Sequence, residues 1–383
     1  MKKYKLGDIC EIVSGSTPKT NIAEFWDGDV KWITPAELDE NTYIITDSVR
    51  KITNLAMQKT GLTAFPAGTV ILSSRAPIGK VAIAGCMMCC NQGFKNFICS
   101  EIVNNKYLYW FLKHNTAYLN SLGRGATFKE ISKSIVSSIE IDLPSLEEQK
   151  RVVDNIEKIS TIITLRKKEI SILDDLIKAR FVELFGDPVS NQHGYEKVSL
   201  SELADIKIGP FGSLLHKEDY IEGGHPLLNP SHIVDGKVAS DYKLSISEDK
   251  YNELSAYQLH VGDVVMGRRG EMGRCAIVPD EGYLCGTGSL IIRTKGDVTA
   301  DYIQKVISFP SFKKTIEDMA VGQTMPNLNV PIVSSFQIIK PPIEVQNRYY
   351  AFVAAIDKSK ATVQKALDET QLLFDSLMQQ YFG

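Results

Sequence analysis

The sequence predicts an α+β protein in which two mixed α/β domains alternate with two long helices, and three observations point there. Residues 147–185 contain neither Pro nor Gly and step apolar residues by fours and threes, which is the seam of a coiled-coil helix. The same construction returns near the far end, from residue 343 to 383. Finally, one shift of 197 residues carries the first seam onto the second: Ile159 falls on Ile356, Arg166 on Val363 and Leu184 on Tyr381. Two unrelated amphipathic helices would not share one register over so long a stretch, so the chain reads as an internal repeat.

The expected order is a first domain over residues 1–145, a central spacer helix over 146–186, a second domain over 187–342 and a C-terminal spacer helix over 343–383. In the first domain, residues 6–13, 30–34, 68–74 and 80–84 read as strands, the last two flanking a Pro77-Ile78-Gly79 turn. Residues 106–122 carry a helical face in Leu108, Phe111, Leu112, Tyr118 and Leu119, and a loop from Gly123 to Lys129 follows. The second domain repeats the plan, with residues 68–83 set on 262–277 at a shift of 194, so that Arg75 meets Arg269, Gly79 meets Gly273 and Lys80 meets Arg274. There a helix through Tyr302, Val306, Phe312, Ile316 and Met319 is expected to kink at Pro310.

The first long helix has a start signal in Pro144-Ser145, acidic residues Glu147 and Glu148 at its positive end, and a stop in Gly186-Asp187-Pro188. Its seam is Val152, Ile156, Ile159, Ile163, Ile170, Leu173, Ile177 and Leu184, with Arg166 and Arg180 in the two remaining slots. The second seam is Val353, Ile356, Val363, Leu367, Phe374, Leu377 and Tyr381. Each stripe is best buried against the other. The domain between them permits either orientation, and the expectation is an antiparallel coiled coil with a pseudo-two-fold relation between the halves. Such a rod, at 1.5 Å per residue, is roughly 57 Å long. On its outer face Ile162, Leu165, Ile172 and Leu176 need a cover, from the domains or from other subunits.

Composition bounds the function. A chain of 383 residues, 44% apolar, suffices for two domains with cores. No charged leader precedes an apolar segment and no apolar run approaches a membrane span, so a cytoplasmic protein without a membrane partner is expected. Seven cysteines, an odd number, fit a reducing compartment, and Cys86, Cys89, Cys90 and Cys99 lack the second spaced pair a zinc site needs. No metal is expected. Catalytic signatures also fail: Gly79-Lys80 follows Ser74 where a phosphate loop needs Gly, and Asn229-Pro230-Ser231-His232 lacks the second Pro and the stacking ring of an adenine methyltransferase motif. Pro279-Asp280 has no Glu-x-Lys after it, and the six histidines are scattered. With no catalytic residue, a binding protein is favoured.

A rod holding two similar domains suits a ligand with repeated features, and duplex DNA repeats every helical turn of about 34 Å. The first domain has 16 basic and 13 acidic residues and the second 15 and 20, so net charge does not select nucleic acid. Local clusters do better: Arg75 with Lys80, and Arg268 and Arg269 with Arg274, each around a glycine turn. Base reading needs amides, hydroxyls and guanidinium groups. Candidates are Thr17 and Lys19, then Gln92, Lys95 and Asn96, then Arg124, Thr127 and Lys129, and in the second domain Gln323, Thr324 and Asn327.

These features together resemble the specificity (S) subunit of type I restriction-modification systems, over the whole chain. The residues that carry the resemblance are Leu6-Gly7-Asp8 through Gly15, the strand pair over 70–83 with its partner over 264–277, the loop Gly322-Gln323-Thr324-Met325-Pro326-Asn327-Leu328, and the lead-in from Pro144 to Gln149. The counterpart loop at Gly123 departs from that pattern and leaves its residues' roles open. The resemblance implies two target-recognition domains, each reading one half of a bipartite double-stranded DNA target, with the helices fixing the gap. It implies no cofactor in this chain, and partners in the form of two modification (methyltransferase) subunits and, where restriction accompanies them, two restriction subunits. S-adenosylmethionine, ATP and magnesium are then expected on those partners. Two other classes also fit the sequence: a structural adaptor joining two protein partners, and a DNA methyltransferase or nuclease with unfamiliar motifs.

Overall fold

A computed structural model of the chain describes residues 2–75, 77–125, 129–240, 242–320 and 327–383. The chain separates into two compact units, Met1–Glu169 with Val363–Gly383, and Ile170–Thr362. Each long helix therefore contributes to both.

In the first unit, Lys2–Lys5 pairs antiparallel with Glu140–Leu143. The continuous strand expected over residues 6–13 is broken at its start: Leu6–Ile9 coils into one helical turn and only Cys10–Ser14 extend. The turn delivers Leu6 and Ile9, three residues apart, to the same core, which a strand cannot do. The main sheet has the order Cys10–Ser14, Phe94–Cys99, Val70–Ser73, Val81–Ala84, Ile44–Ile45. Both its faces are covered. Val70, Leu72, Val81 and Ile83 meet the helical side, whereas Ile71, Ala82 and Ala84 join Phe65, Met88 and Phe94 on the other. Hence the sequence shows continuous apolar runs there and not alternation.

The single helix expected over 106–122 is two, Asn105–His114 and Thr116–Leu122. Asn115 divides them with a non-helical ψ of 19°, and its side-chain amide shares the Phe111 carbonyl, at 3.0 Å, with its own backbone N–H.

The second unit repeats this. Glu196–Ser199 pairs with Gln337–Lys340, and the sheet runs Ala204–Ile208, Ser289–Thr294, Val264–Gly267, Cys275–Ile277. Pro310 does not kink one helix. It opens a second one, Pro310–Met319, after Ala300–Ser308, taking the first-turn position where a missing N–H loses no bond.

The long helices are Leu146–Phe185 and Ile343–Phe382, 40 residues each. In the first unit Val152 and Ile156 share a core with Met378 and Phe382, and Arg166 donates to the Ala366 carbonyl and the Thr370 hydroxyl. In the second, Phe181 lies 5.6 Å from the Tyr349 ring, Arg180 sits over Phe352, and Lys360 pairs with Asp174. Low numbers on one helix meet high numbers on the other in both units, so the pairing is antiparallel. Ile156, Ile163, Ile177 and Leu367 are buried, while Ile162, Leu165, Ile172 and Leu176 are exposed.

A glutamine near the start of each long helix ties that helix to its domain. Gln149, fully buried, accepts from the Asn104 N–H at 2.8 Å and donates to the Ile102 and Pro144 carbonyls. Gln346 does the same with the Thr299 N–H at 2.9 Å and the Asp297 and Pro341 carbonyls. Asn104 and Thr299 are themselves helix N-caps, so one side-chain amide fixes two helix starts at once.

Candidate nucleic-acid interface

Each unit gathers several strand ends at one place, and both do so with the same backbone bonds. In the first, the Ser74 N–H donates to the Gly93 carbonyl at 2.7 Å and the Ser74 carbonyl accepts from Ile131 at 2.9 Å. In the second, Arg268 N–H donates to Gly288 at 3.0 Å and its carbonyl accepts from Leu328 at 2.9 Å. Gly15 lies against the Cys90 and Asn91 carbonyls so closely that a Cβ there would sit 2.1 Å from the former. Gly209 lies against Cys285 and Gly286, with the same 2.1 Å to the Gly286 oxygen. Gly93 packs on Pro35 as Gly288 packs on Pro230. Two backbone bonds and two close glycine approaches thus recur in both units.

Within this frame the predicted residues fall into two groups. Thr17, Gln92, Arg75 and Glu130 come together in the first unit: the Thr17 hydroxyl donates to Gln92 Oε1, and Arg75 bridges Glu130 with a 4.0 Å ion pair. Lys95 is buried, reaching Ser74 Oγ at 3.3 Å and Glu130 at 3.4 Å. Lys19, Arg124 and Lys129 are exposed, and Arg124 exchanges backbone bonds with Glu130. In the second unit Arg268 Nε donates to Asn327 Oδ1 at 3.0 Å, and Arg269 pairs with Asn327 through the backbone.

The second group is engaged inside the fold. Lys80 Nζ donates to the Pro35 carbonyl at 3.0 Å and to Leu38, and its repeat partner Arg274 donates to the Pro230 carbonyl at 3.2 Å while pairing with Glu271. Both cations pin the proline loop that shapes the site. Asn96 is fully buried beside Cys90 Sγ. Thr127, Gln323 and Thr324 lie outside the described residues.

Three residues of the site were not among those expected. Phe211, 64% exposed, stands with Asn229, Arg268, Arg269 and Thr287 around a concavity of about 550 Å³ in the second unit. The repeat held the signal, because 194 added to Thr17 gives Phe211; residue type hid it, since neither a phenylalanine nor a lone threonine marks a polar reading loop.

Electrostatically the second unit's site sets two guanidinium groups side by side, and the buried thiol of each unit is held neutral. Arg268 is partly desolvated and adjoins Arg269, and both effects disfavour its charge until an anion arrives. Burial pushes the Cys90 thiol up to about 12 and raises Cys285 as well, so neither is a thiolate near neutrality. Among the described residues no group of three or more His, Cys, Asp or Glu side chains could hold a metal ion, and no helix is long and apolar enough to cross a membrane.

Known proteins are similar to this chain in sequence and fold. A family model described as the type I restriction modification DNA specificity domain matches residues 1–173 and again 192–370. The specificity subunit of the type I restriction enzyme MjaIX from Methanocaldococcus jannaschii is 30% identical, the match covering 98% of this chain and 90% of that one. A solved chain from work on assembly and conformational transition of the type I R-M system has a TM-score of 0.66 at 19% identity, over 100% of this chain and 97% of its own. The S subunit of a type I restriction-modification system from M. genitalium gives 0.58 at 15%, over 100% and 96%. At such identities the solved chains establish the fold.

Proposed function

This chain belongs to the type I restriction modification DNA specificity family, and from that premise we propose how its parts divide the work. It is the DNA-recognising, non-catalytic subunit of a type I restriction-modification complex. In our reading the domain of residues 1–145 reads one half of a bipartite target and that of 187–342 the other, while the helices at 146–186 and 343–383 set the gap between halves. Two modification subunits dock on this chain and bring S-adenosylmethionine to methylate adenine. Restriction subunits, where present, bring ATP and magnesium. The complex works in the cytoplasm, where its DNA is.

The observation that carries this reading is the duplicated frame: the same backbone bonds recur at Ser74 and Arg268, but different side chains surround them. A scaffold kept constant around variable side chains is what independent reading of two sequences requires. Partner subunits also account for the even charge balance, since they can supply much of the phosphate neutralisation.

The test is an exchange. Residues 1–142 are replaced by the matching block of a homologue with another target, the modification subunits are added, and methylated adenines are mapped. One half of the target should change while the other half and the gap stay. A change in both halves would refute independent reading.

A further inference from the structure

Resting on the reading above, we propose that the side-chain pair Thr17–Gln92 in the first domain and the pair Phe211–Thr287 in the second are specificity-determining positions. The first pair reads a hydrogen-bond-accepting base edge and the second a thymine methyl. Arg75 and Arg269, the same residue type at matching places, hold the DNA backbone in both.

Equivalence of the two pairs follows from the frame. Gly15 closes on the Cys90 and Asn91 carbonyls and Gly209 on those of Gly286 and Cys285, so Thr17 and Phe211, each two residues on, correspond. Gly93 and Gly288 pack on matching prolines, which does the same for Gln92 and Thr287, each one residue earlier. What differs is the chemistry. The Thr17 hydroxyl donates to Gln92 Oε1, so the acceptor end of the amide is occupied, and no acceptor among the described residues takes the Nε2 protons. An exposed amide held by its oxygen presents a donor, which matches N7 of a purine or an exocyclic carbonyl in the major groove.

In the second domain the same place holds an exposed aromatic ring beside a concavity with Pro230 and Ile208 in its wall. An aromatic ring exposed to this degree next to two arginines has no core role. Apolar contact with the thymine methyl is the base feature it fits, and Thr287 adds a methyl and a hydroxyl. Arg75 and Arg269 carry charge and occur in both copies, so we assign them the contact that both halves share, to phosphate.

The experiment transplants one pair onto the other frame. The full chain carrying T17F and Q92T, assembled with its modification subunits, is selected against duplex DNA randomised across both half-targets, and F211T with T287Q is run as the reciprocal. Each variant should change preference at one or two base pairs of its own half, by roughly 10- to 100-fold in discrimination, and leave the other half unaltered. R75A should lower affinity several-fold on every sequence without altering the preferred one. Should a transplant bind nothing, Q92A and F211A, which only remove atoms, decide: discrimination falling at one or two positions of the matching half supports the assignment. Folded variants that select the wild-type sequence within about twofold at every position would overturn it. A wild-type complex that selects no sequence would instead overturn the reading on which the assignment rests.

Discussion

Gly15 and Gly209 are the residues on which the candidate site's shape turns. A methyl group at either would lie 2.1 Å from a backbone carbonyl oxygen, that of Cys90 in a paired strand or that of Gly286 just past the strand Tyr283–Cys285, and backbone there cannot easily step back. Gly15→Ala and Gly209→Ala should each destabilise their own unit by about 3 kcal/mol, read as a lowered urea midpoint. An unchanged midpoint would mean the strand ends are looser than the frame requires. A second residue-scale prediction concerns His225, stacked on Tyr251 and 2.7 Å from Glu248. Burial works against its charge, but the Glu248 carboxylate and the Gly282 carbonyl outweigh it, and its pKa is raised above 6.5. Glu248 is lowered below 4.5 through the hydrogen bond to His225. The histidine's contribution is complete below pH 6.5 and disappears as pH rises through the raised value; the carboxylate's is complete above pH 4.5 and disappears on acidification through the depressed value. The stability difference between wild type and His225→Gln should thus be largest between pH 4.5 and 6.5 and shrink by pH 8. A difference flat across that range would rule the pair out.

At the scale of elements, the long helices were the most legible part, because a seam three and four residues apart over 40 residues admits no strand. The breaks were not. Residues 6–9 have strand-forming neighbours, and only the demand that Leu6 and Ile9 reach one core coils them. Lys80 and Arg274 were visible as matched cations, yet a cation's number cannot tell whether it meets phosphate or, as at the Pro35 and Pro230 carbonyls, its own chain. Gln149 and Gln346 likewise coincide under the 197-residue shift, but nothing local says that a glutamine is buried. Their predicted consequence is specific. Gln149→Leu leaves the Asn104 N–H and two carbonyls without partners, and Gln346→Leu does the same at Thr299. Each should destabilise the protein by about 2 kcal/mol in urea titration. Loss of less than a few tenths would show that water replaces the amide.

For the whole molecule, the repeat told most of the fold, since two matched halves exclude most alternatives, whereas the grouping of the candidate site residues depended on distances that no spacing encodes. Arg268 and Asn327, chosen separately for residue type, prove to be joined by a 3.0 Å bond. Inserting four residues, about one turn, into the first long helix should lengthen the gap in the methylated target or abolish binding. Methylation mapped at an unchanged gap would exclude the helices as the measure of spacing.

The first unit is also assembled from stretches far apart in the chain, and this bears on how the protein is born. Trp110 and Phe111 complete their packing against Phe374 and Phe382, which leave the ribosome after every residue of the second unit. Ile170–Thr362 is one unbroken stretch and can close while translation continues. The half made first is therefore finished second, and during synthesis its bare aromatic surface is what a chaperone would hold.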